Sequence, residues 1–244
     1  MRKLKVIIEY DGTNFRGFQV QPGLRTVQGE LEKAIAQLTK TETKIIGAGR
    51  TDAGVHALGQ VVSFSTASTI PIERFSIALN SCLPADLRVR SAEEVAEDFH
   101  ARFSARWKTY RYIIRTDPKG AVFWRNYSLL LPFTLDIGAM QAAVRHLIGT
   151  HSFQAFCASG AEVRNFVRTV VSCRIRMVDA NLIIEVTADG FLYHMVRNMV
   201  GTLLQVGRGE RKAGDIPGIL ASLDRNQAGP TAPPQGLYLV KVGY

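Results

Sequence analysis

The stretch GAGRTDAGVHALGQVVSF, residues 47–64, carries a single acid, Asp52, between Arg50 and Gly54, and runs straight into an apolar strand pattern. The order Gly47, Gly49, Arg50, Thr51, Asp52, Gly54 predicts a tight turn at the start of that strand. There glycines let backbone approach a ligand, and one side chain can be held at a cleft. A carboxylate fixed in that way can act as a nucleophile or help move a proton. An Asp in a Gly-containing turn also serves simply to close the turn by bonding its own backbone, and this stretch alone leaves both readings open.

Two other groupings carry chemical potential. DFHARFSARWKTYRYIIR, residues 98–115, interleaves Phe99, Phe103, Trp107, Tyr110 and Tyr112 with Arg102, Arg106, Lys108, Arg111 and Arg115. Rings among cations suit stacking on unpaired bases while the cations hold phosphates. If TYRYIIR is a strand, Tyr110, Tyr112 and Ile114 share one face and Arg111, Ile113 and Arg115 the other, so a half-buried strand with a solvated basic face fits equally. The third grouping is DGFLYHMVRNMVGTLLQVG, residues 189–207. As a helix it aligns Leu192, Met195, Val196, Met199, Val200 and Leu203 in one apolar stripe, with Arg197 at its edge near Tyr193 and Leu204 and Gly201 one turn on. A guanidinium at a core margin either meets an anion, for which Asp52 is a candidate, or snorkels to water.

Other chemistries lack their residues. The five histidines, His56, His100, His146, His151 and His194, show no H-E-x-x-H or Cys/His ligand spacing, so no metal is expected. No Walker loop, G-x-G-x-x-G turn or G-x-S-x-G elbow occurs, so neither a nucleotide cofactor nor that form of serine hydrolysis is indicated. Three cysteines, Cys82, Cys157 and Cys173, form no C-x-x-C pair and fit a reducing, cytoplasmic setting. The apolar stretch in MRKLKVIIEYDG is broken by Glu9 too early for a signal peptide, and no apolar run approaches the ~20 residues that span a bilayer.

The elements that must position these groups alternate. LKVIIEY reads as a strand, TVQGELEKAIAQLTK as a helix capped by Thr26, GQVVSFS as a strand, PIERFSIALNSCLP as a helix and LRVRSAEEV as a strand. After residue 104 the order begins again with strand TYRYIIR, helix DIGAMQAAVRHLIG, strands VVSCRIRMV and NLIIEVTA, a helix over 191–207 and a last strand GLYLVKV. The expected class is α+β, in two halves, 1–104 and 105–244, meeting near Ser104 to Arg106 and each compatible with a split βαβ layout. DRNQAGPTAPPQG, residues 224–236, is the clearest loop.

At 244 residues and 46% apolar composition the chain can bury a sizeable core. Its net charge of +9 is uneven: 13 basic against 12 acidic residues over 1–104, but 17 against 9 over 105–244, giving +1 and +8. Thirteen of those 17 are arginine, whose planar fork suits phosphate, so a polyanionic partner or a surface charged for solubility is expected.

Taken together, YDGTNFRGFQVQP (10–22), GRTDAGVHALGQV (49–61), LNSCLPADLRV (79–89), FHARFSA (99–105), YRY (110–112), FLYHMVRNMVGTLLQVGRG (191–209) and APPQGLYLVKVGY (232–244) resemble the tRNA pseudouridine synthases of the A type. Two positions depart, Phe15 where many members have Tyr and Lys108 where Arg is common. The resemblance implies isomerisation of uridine to pseudouridine at positions 38 to 40 of the tRNA anticodon arm by a homodimer without metal or organic cofactor. It implies RNA-recognition-like halves whose mainly antiparallel sheets flank a central cleft. It makes Asp52 the catalytic carboxylate, paired with Arg197, has Tyr110 stack on the target uracil, and assigns Leu237 to substrate binding. Arg50 is expected to fill the space the base vacates or to hold phosphate. The alternatives are a non-catalytic RNA-binding module or chaperone, and a transferase acting on phosphorylated small molecules.

Overall fold

The computed structural model describes residues 1–160 and 164–244. Its strands and α-helices are β1 (Arg2–Tyr10), α1 (Val27–Thr39), β2 (Ile46–Gly47), β3 (His56–Thr66), α2 (Ile72–Asn80), β4 (Leu87–Val95), β5 (Trp107–Arg115), α3 (Ala121–Trp124), β6 (Leu129–Leu130), α4 (Ile137–Arg145), β7 (Gly149–Ser152), β8 (Val167–Val178), β9 (Asn181–Ala188), α5 (Met195–Gly207), α6 (Ile216–Ser222) and β10 (Leu237–Gly243). The fold is mixed α and β, with two compact units: Met1–Arg106 together with Tyr238–Tyr244, and Trp107–Leu237.

In the first unit the strand order is β4-β1-β3, with β2 also on β3, and each of these pairs is antiparallel. Period-two patterning builds the sheet: Leu4, Val6 and Ile8 of β1 are fully buried while the residues between them stay half-exposed. Helix α1 begins where Thr26 accepts a hydrogen bond from the Gly29 amide at 3.2 Å. It turns Val27, Leu31 and Ile35 inward; in α2 the buried residues are Phe75 and Leu79, and the Phe75 ring lies 6.2 Å from that of Phe64 on β3.

The last strand differs from the expected division at 104/105. Tyr238 and Leu239 pair in parallel with His56 and Ala57. The Gly243 carbonyl accepts from the Arg106 amide at 2.8 Å, and the Tyr244 hydroxyl donates to the Ala101 carbonyl at 2.8 Å. A strand returning over some 180 residues leaves no local sequence signal, because what selects its partner is the open edge of a sheet already formed.

In the second unit the order is β5-β9-β8-β7, all antiparallel, with β6 parallel on β5. Tyr110, Tyr112 and Ile114 of β5 and Leu182, Ile184 and Val186 of β9 are buried on one face. Helix α4, capped by Asp136 accepting from the Ala139 amide at 2.8 Å, packs against α5 and β8. The helix expected over 191–207 starts only at Met195. His194 takes a left-handed conformation (φ 58°) that breaks the helical path, and Leu192 and Tyr193 therefore lie ahead of the helix rather than on its stripe.

Candidate active site

In the first unit the Asp52 turn is fixed from both sides by main chain. The Ala48 amide donates to the Val61 carbonyl at 2.8 Å and Gln60 Nε2 donates to the Gly49 carbonyl at 2.8 Å, anchoring the approach to the turn. The Phe18 amide donates to the Thr51 carbonyl at 3.0 Å, the Gly54 amide to the Phe15 carbonyl at 3.4 Å and the Val55 amide to the Asp52 carbonyl at 3.1 Å. Beneath it the hydroxyls of Tyr10 and Thr51, both buried, share a hydrogen bond at 2.8 Å. Burial pushes the Tyr10 phenol up to about 12, only partly offset by its bonds to Thr51 and Gln60. Asp52 itself is half-buried and Arg50 is exposed.

The partner of this turn is the loop 12–18, which the sequence showed only as part of a family motif. Phe15 and Phe18 are buried, so the loop turns two rings inward while Thr13, Asn14 and Arg16 stay exposed. Gly12 and Gly17 are required by contact: a Cβ at Gly12 would stand 2.1 Å from the Val55 carbonyl oxygen, and Gly17 has φ +90° with the Thr51 carbonyl oxygen 2.9 Å from its would-be Cβ. The Gly12 amide also donates to His56 Nδ1 at 3.0 Å; His56 is buried and stacks on Tyr238 at 4.7 Å. The Arg25 guanidinium, lying 4.3 Å over the Phe15 ring, grips Asp86 with two hydrogen bonds at 2.7 and 2.8 Å. A paired Gly and Phe spacing, G-x-x-F-x-G-F over residues 12–18, was the available signal for this second layer.

In the second unit Tyr110 is buried on β5, edge-on to Phe191 at 5.0 Å. Arg197 sits in the first turn of α5, half-buried. A cation there opposes the helix dipole, and main chain compensates: Arg197 Nε donates to the Ala232 carbonyl at 2.7 Å, and the Ala232 amide returns a bond to the Arg197 carbonyl at 3.1 Å. Tyr112 donates to the Pro233 carbonyl at 2.7 Å, and burial raises its phenol well above the usual range despite the nearby Arg197 charge. Leu237, the first residue of β10, is buried. The stretch 224–236, read as a loop, is a strap with two short 3-10 turns bonded to α5 and β5.

The aromatic and basic grouping over 98–115 is divided among structural tasks. Arg111 bonds Glu185 across the β5–β9 register at 3.0 Å, Arg115 donates to the Asp117 and Lys119 carbonyls, and Phe99 packs on Tyr244 at 4.9 Å. Phe103 remains exposed, stacked on His100 at 4.3 Å. Among the described residues no three His, Cys, Asp or Glu side chains are placed to hold a metal ion, and no helix is long and apolar enough to cross a membrane.

The first unit holds a hydrogen-bonded turn that carries a half-buried carboxylate, and the second is rich in arginine, features compatible with the class of enzymes that act on polyanions. Comparison gives the family: the description "tRNA pseudouridine synthase" matches residues 6–104 and 143–244. The protein named tRNA pseudouridine synthase A of Syntrophomonas wolfei is 49% identical over 100% of this chain and 98% of its own, and that of Moorella thermoacetica 51% identical over 99% of both. Among solved structures, the archaeal box H/ACA sRNP Nop10-Cbf5 complex covers 83% of this chain and 43% of that chain at 14% identity, with a TM-score of 0.39. The chain belongs to the tRNA pseudouridine synthase family, whose reaction is an isomerisation.

Proposed function

We propose that this protein isomerises uridine to pseudouridine at positions 38, 39 and 40 of the tRNA anticodon arm, as a cytoplasmic homodimer without a cofactor. Asp52 is the single catalytic carboxylate and Arg197 its ion-pair partner. Tyr110 stacks on the target uracil, Arg50 fills the vacated stack or holds phosphate, and Leu237 packs against substrate. Both units are read as split βαβ halves, supported in the first by the order β1-α1-β2-β3-α2-β4 with β4-β1-β3-β2 in the sheet.

In this reaction the bond from ribose C1′ to uracil N1 breaks, the base turns while bound, and C5 bonds to C1′. C5 gives up its proton and N1 ends protonated, so nothing is added or lost overall. Asp52 serves as the carboxylate, by attack on sugar or base or by abstracting a sugar proton. Extruding a stacked uracil costs a few kcal/mol, of which stacking on an aromatic ring returns about 1–3.

The observation that carries the reading is the anchoring of the Asp52 turn, whose main chain is bonded to loop 12–18 while Asp52 itself is left half-buried. A turn serving only as a turn needs no backing by two buried glycines and two buried phenylalanines. The test is tritium release from tRNA labelled at uridine C5, comparing wild type with Asp52→Asn. Release by wild type alone supports the reading; release by neither, with tRNA binding intact and a competent substrate confirmed, replaces it with a binding module.

A further inference from the structure

The strap contains a cation that the proposed chemistry does not use. Arg225 is half-buried, and desolvation pulls its guanidinium below the usual range. Its partners among the described residues are all neutral: Asn198 Oδ1 at 3.0 Å, Thr231 Oγ1 at 3.2 Å and the Ala228 carbonyl at 3.3 Å. The adjacent carboxylate, Asp224, accepts from the amide and side chain of Asn226. Placing a cation among neutral acceptors is costly, so solubility does not explain it. A planar fork that reaches three acceptors at once does.

Those acceptors lead directly to Arg197. Asn198, the next residue on α5, is fully buried; its Oδ1 also accepts from Thr231 Oγ1 at 2.6 Å, and its Nδ2 donates to the Phe156 carbonyl at 2.7 Å. Thr202, one turn on, donates to the Asn198 carbonyl at 2.8 Å and accepts from the Gly229 amide at 2.8 Å. Close approach is obligatory, since a Cβ on Gly201 would lie 1.7 Å from the Pro230 carbonyl oxygen. The strap is thus pinned on α5 from Gly229 to Thr231, and the next residue, Ala232, supplies the carbonyl that takes Arg197 Nε.

We infer that Arg225 is a positioning residue for Arg197: by clamping Asn198, Thr231 and Ala228 it sets the Ala232 carbonyl, and so the orientation of the Arg197 guanidinium. This rests on the role proposed above for Arg197. Lys at position 225 would keep the charge and lose the fork.

The test measures single-turnover tritium release and tRNA binding for wild type, Arg225→Lys, Thr231→Val and Arg197→Lys, and for Arg225→Lys combined with Arg197→Lys. Arg225→Lys is expected to lower the rate constant about 10- to 100-fold, as a misplacement on the order of 1 Å does, with tRNA affinity and KM little changed. In the Arg197→Lys background the same change is expected to cost less than about threefold, the non-additivity of two residues that act as a unit. Thr231→Val, which leaves Arg225 in place, reports the same coupling if Arg225→Lys does not fold. Full activity in folded Arg225→Lys overturns the inference. So does an equal loss in both backgrounds, the mark of a merely structural role. Absence of release by wild type overturns the isomerase reading itself, whereas an active wild type with an indifferent Arg225 removes only this inference.

Discussion

Replacing Gly12 with Ala tests whether loop 12–18 is what holds the catalytic turn. The added Cβ would stand 2.1 Å from the Val55 carbonyl oxygen and 2.5 Å from its carbon, where ordinary contact starts at 3.4 Å. One backbone must therefore retreat by more than 1 Å, and neither neighbour is a side chain that could swing away. Gly12 is tied to His56 through its amide and to Phe15 through its carbonyl, while Val55 is tied to Asp52. The displacement thus passes to the turn. Overpacking of this kind costs about 1–3 kcal/mol of stability, and moving a catalytic carboxylate by about 1 Å costs on the order of 100-fold in rate. Single-turnover tritium release at saturating enzyme is expected to fall by about that factor, with tRNA affinity unchanged because position 12 touches no expected RNA contact. A folded Gly12→Ala variant that kept its rate constant within about threefold of wild type would refute the reasoning, since the turn would then hold Asp52 without its supporting loop.

Three further outcomes are expected. Thr202→Val removes the hydroxyl that accepts from the buried Gly229 amide, and leaving that N–H unsatisfied should cost about 1–3 kcal/mol in urea unfolding. Burial raises Tyr10 from 10.0 and Cys173 from 9.0, each to about 12. Between pH 9 and 12 the folded state therefore holds protons the unfolded chain has lost, and stability should fall as pH rises through this window. Each group contributes up to about 1.4 kcal/mol per pH unit once ionised in the unfolded state, so a flat stability curve across the window would contradict their burial. Binding of tRNA should weaken linearly in log salt, with a slope of about −0.7 to −0.9 per phosphate neutralised; a flat response would argue for a small-molecule substrate.

Much of this molecule was legible as pattern. Period-two patterning in LKVIIEY, the Thr26 cap and the shared face of Tyr110, Tyr112 and Ile114 follow from local chemistry, because capping and strand alternation depend on neighbours within a few residues. The ordered motifs carried the family, and Asp52 stood out as the one acid in a Gly-rich turn ahead of a strand.

Tertiary structure decided the rest, wherever the deciding partner is distant in sequence. Arg111 is a surface cation by pattern and a cross-strand partner of Glu185 in fact. Residues 224–236 have a loop's composition, and they become a strap because Gly201 and Gly229 allow backbone to lie against α5, with Asn198 and Thr202 supplying the bonds. His194 delays the start of the helix expected over 191–207 to Met195 by a backbone angle that periodicity does not encode. The returning strand β10 pairs with β3, some 180 residues earlier in the chain, a partner that no local pattern names. Short-range preferences can place Asp52 in a turn; its bonds to loop 12–18 and to β3 come from residues that only the fold brings beside it, since such contacts are made across the fold.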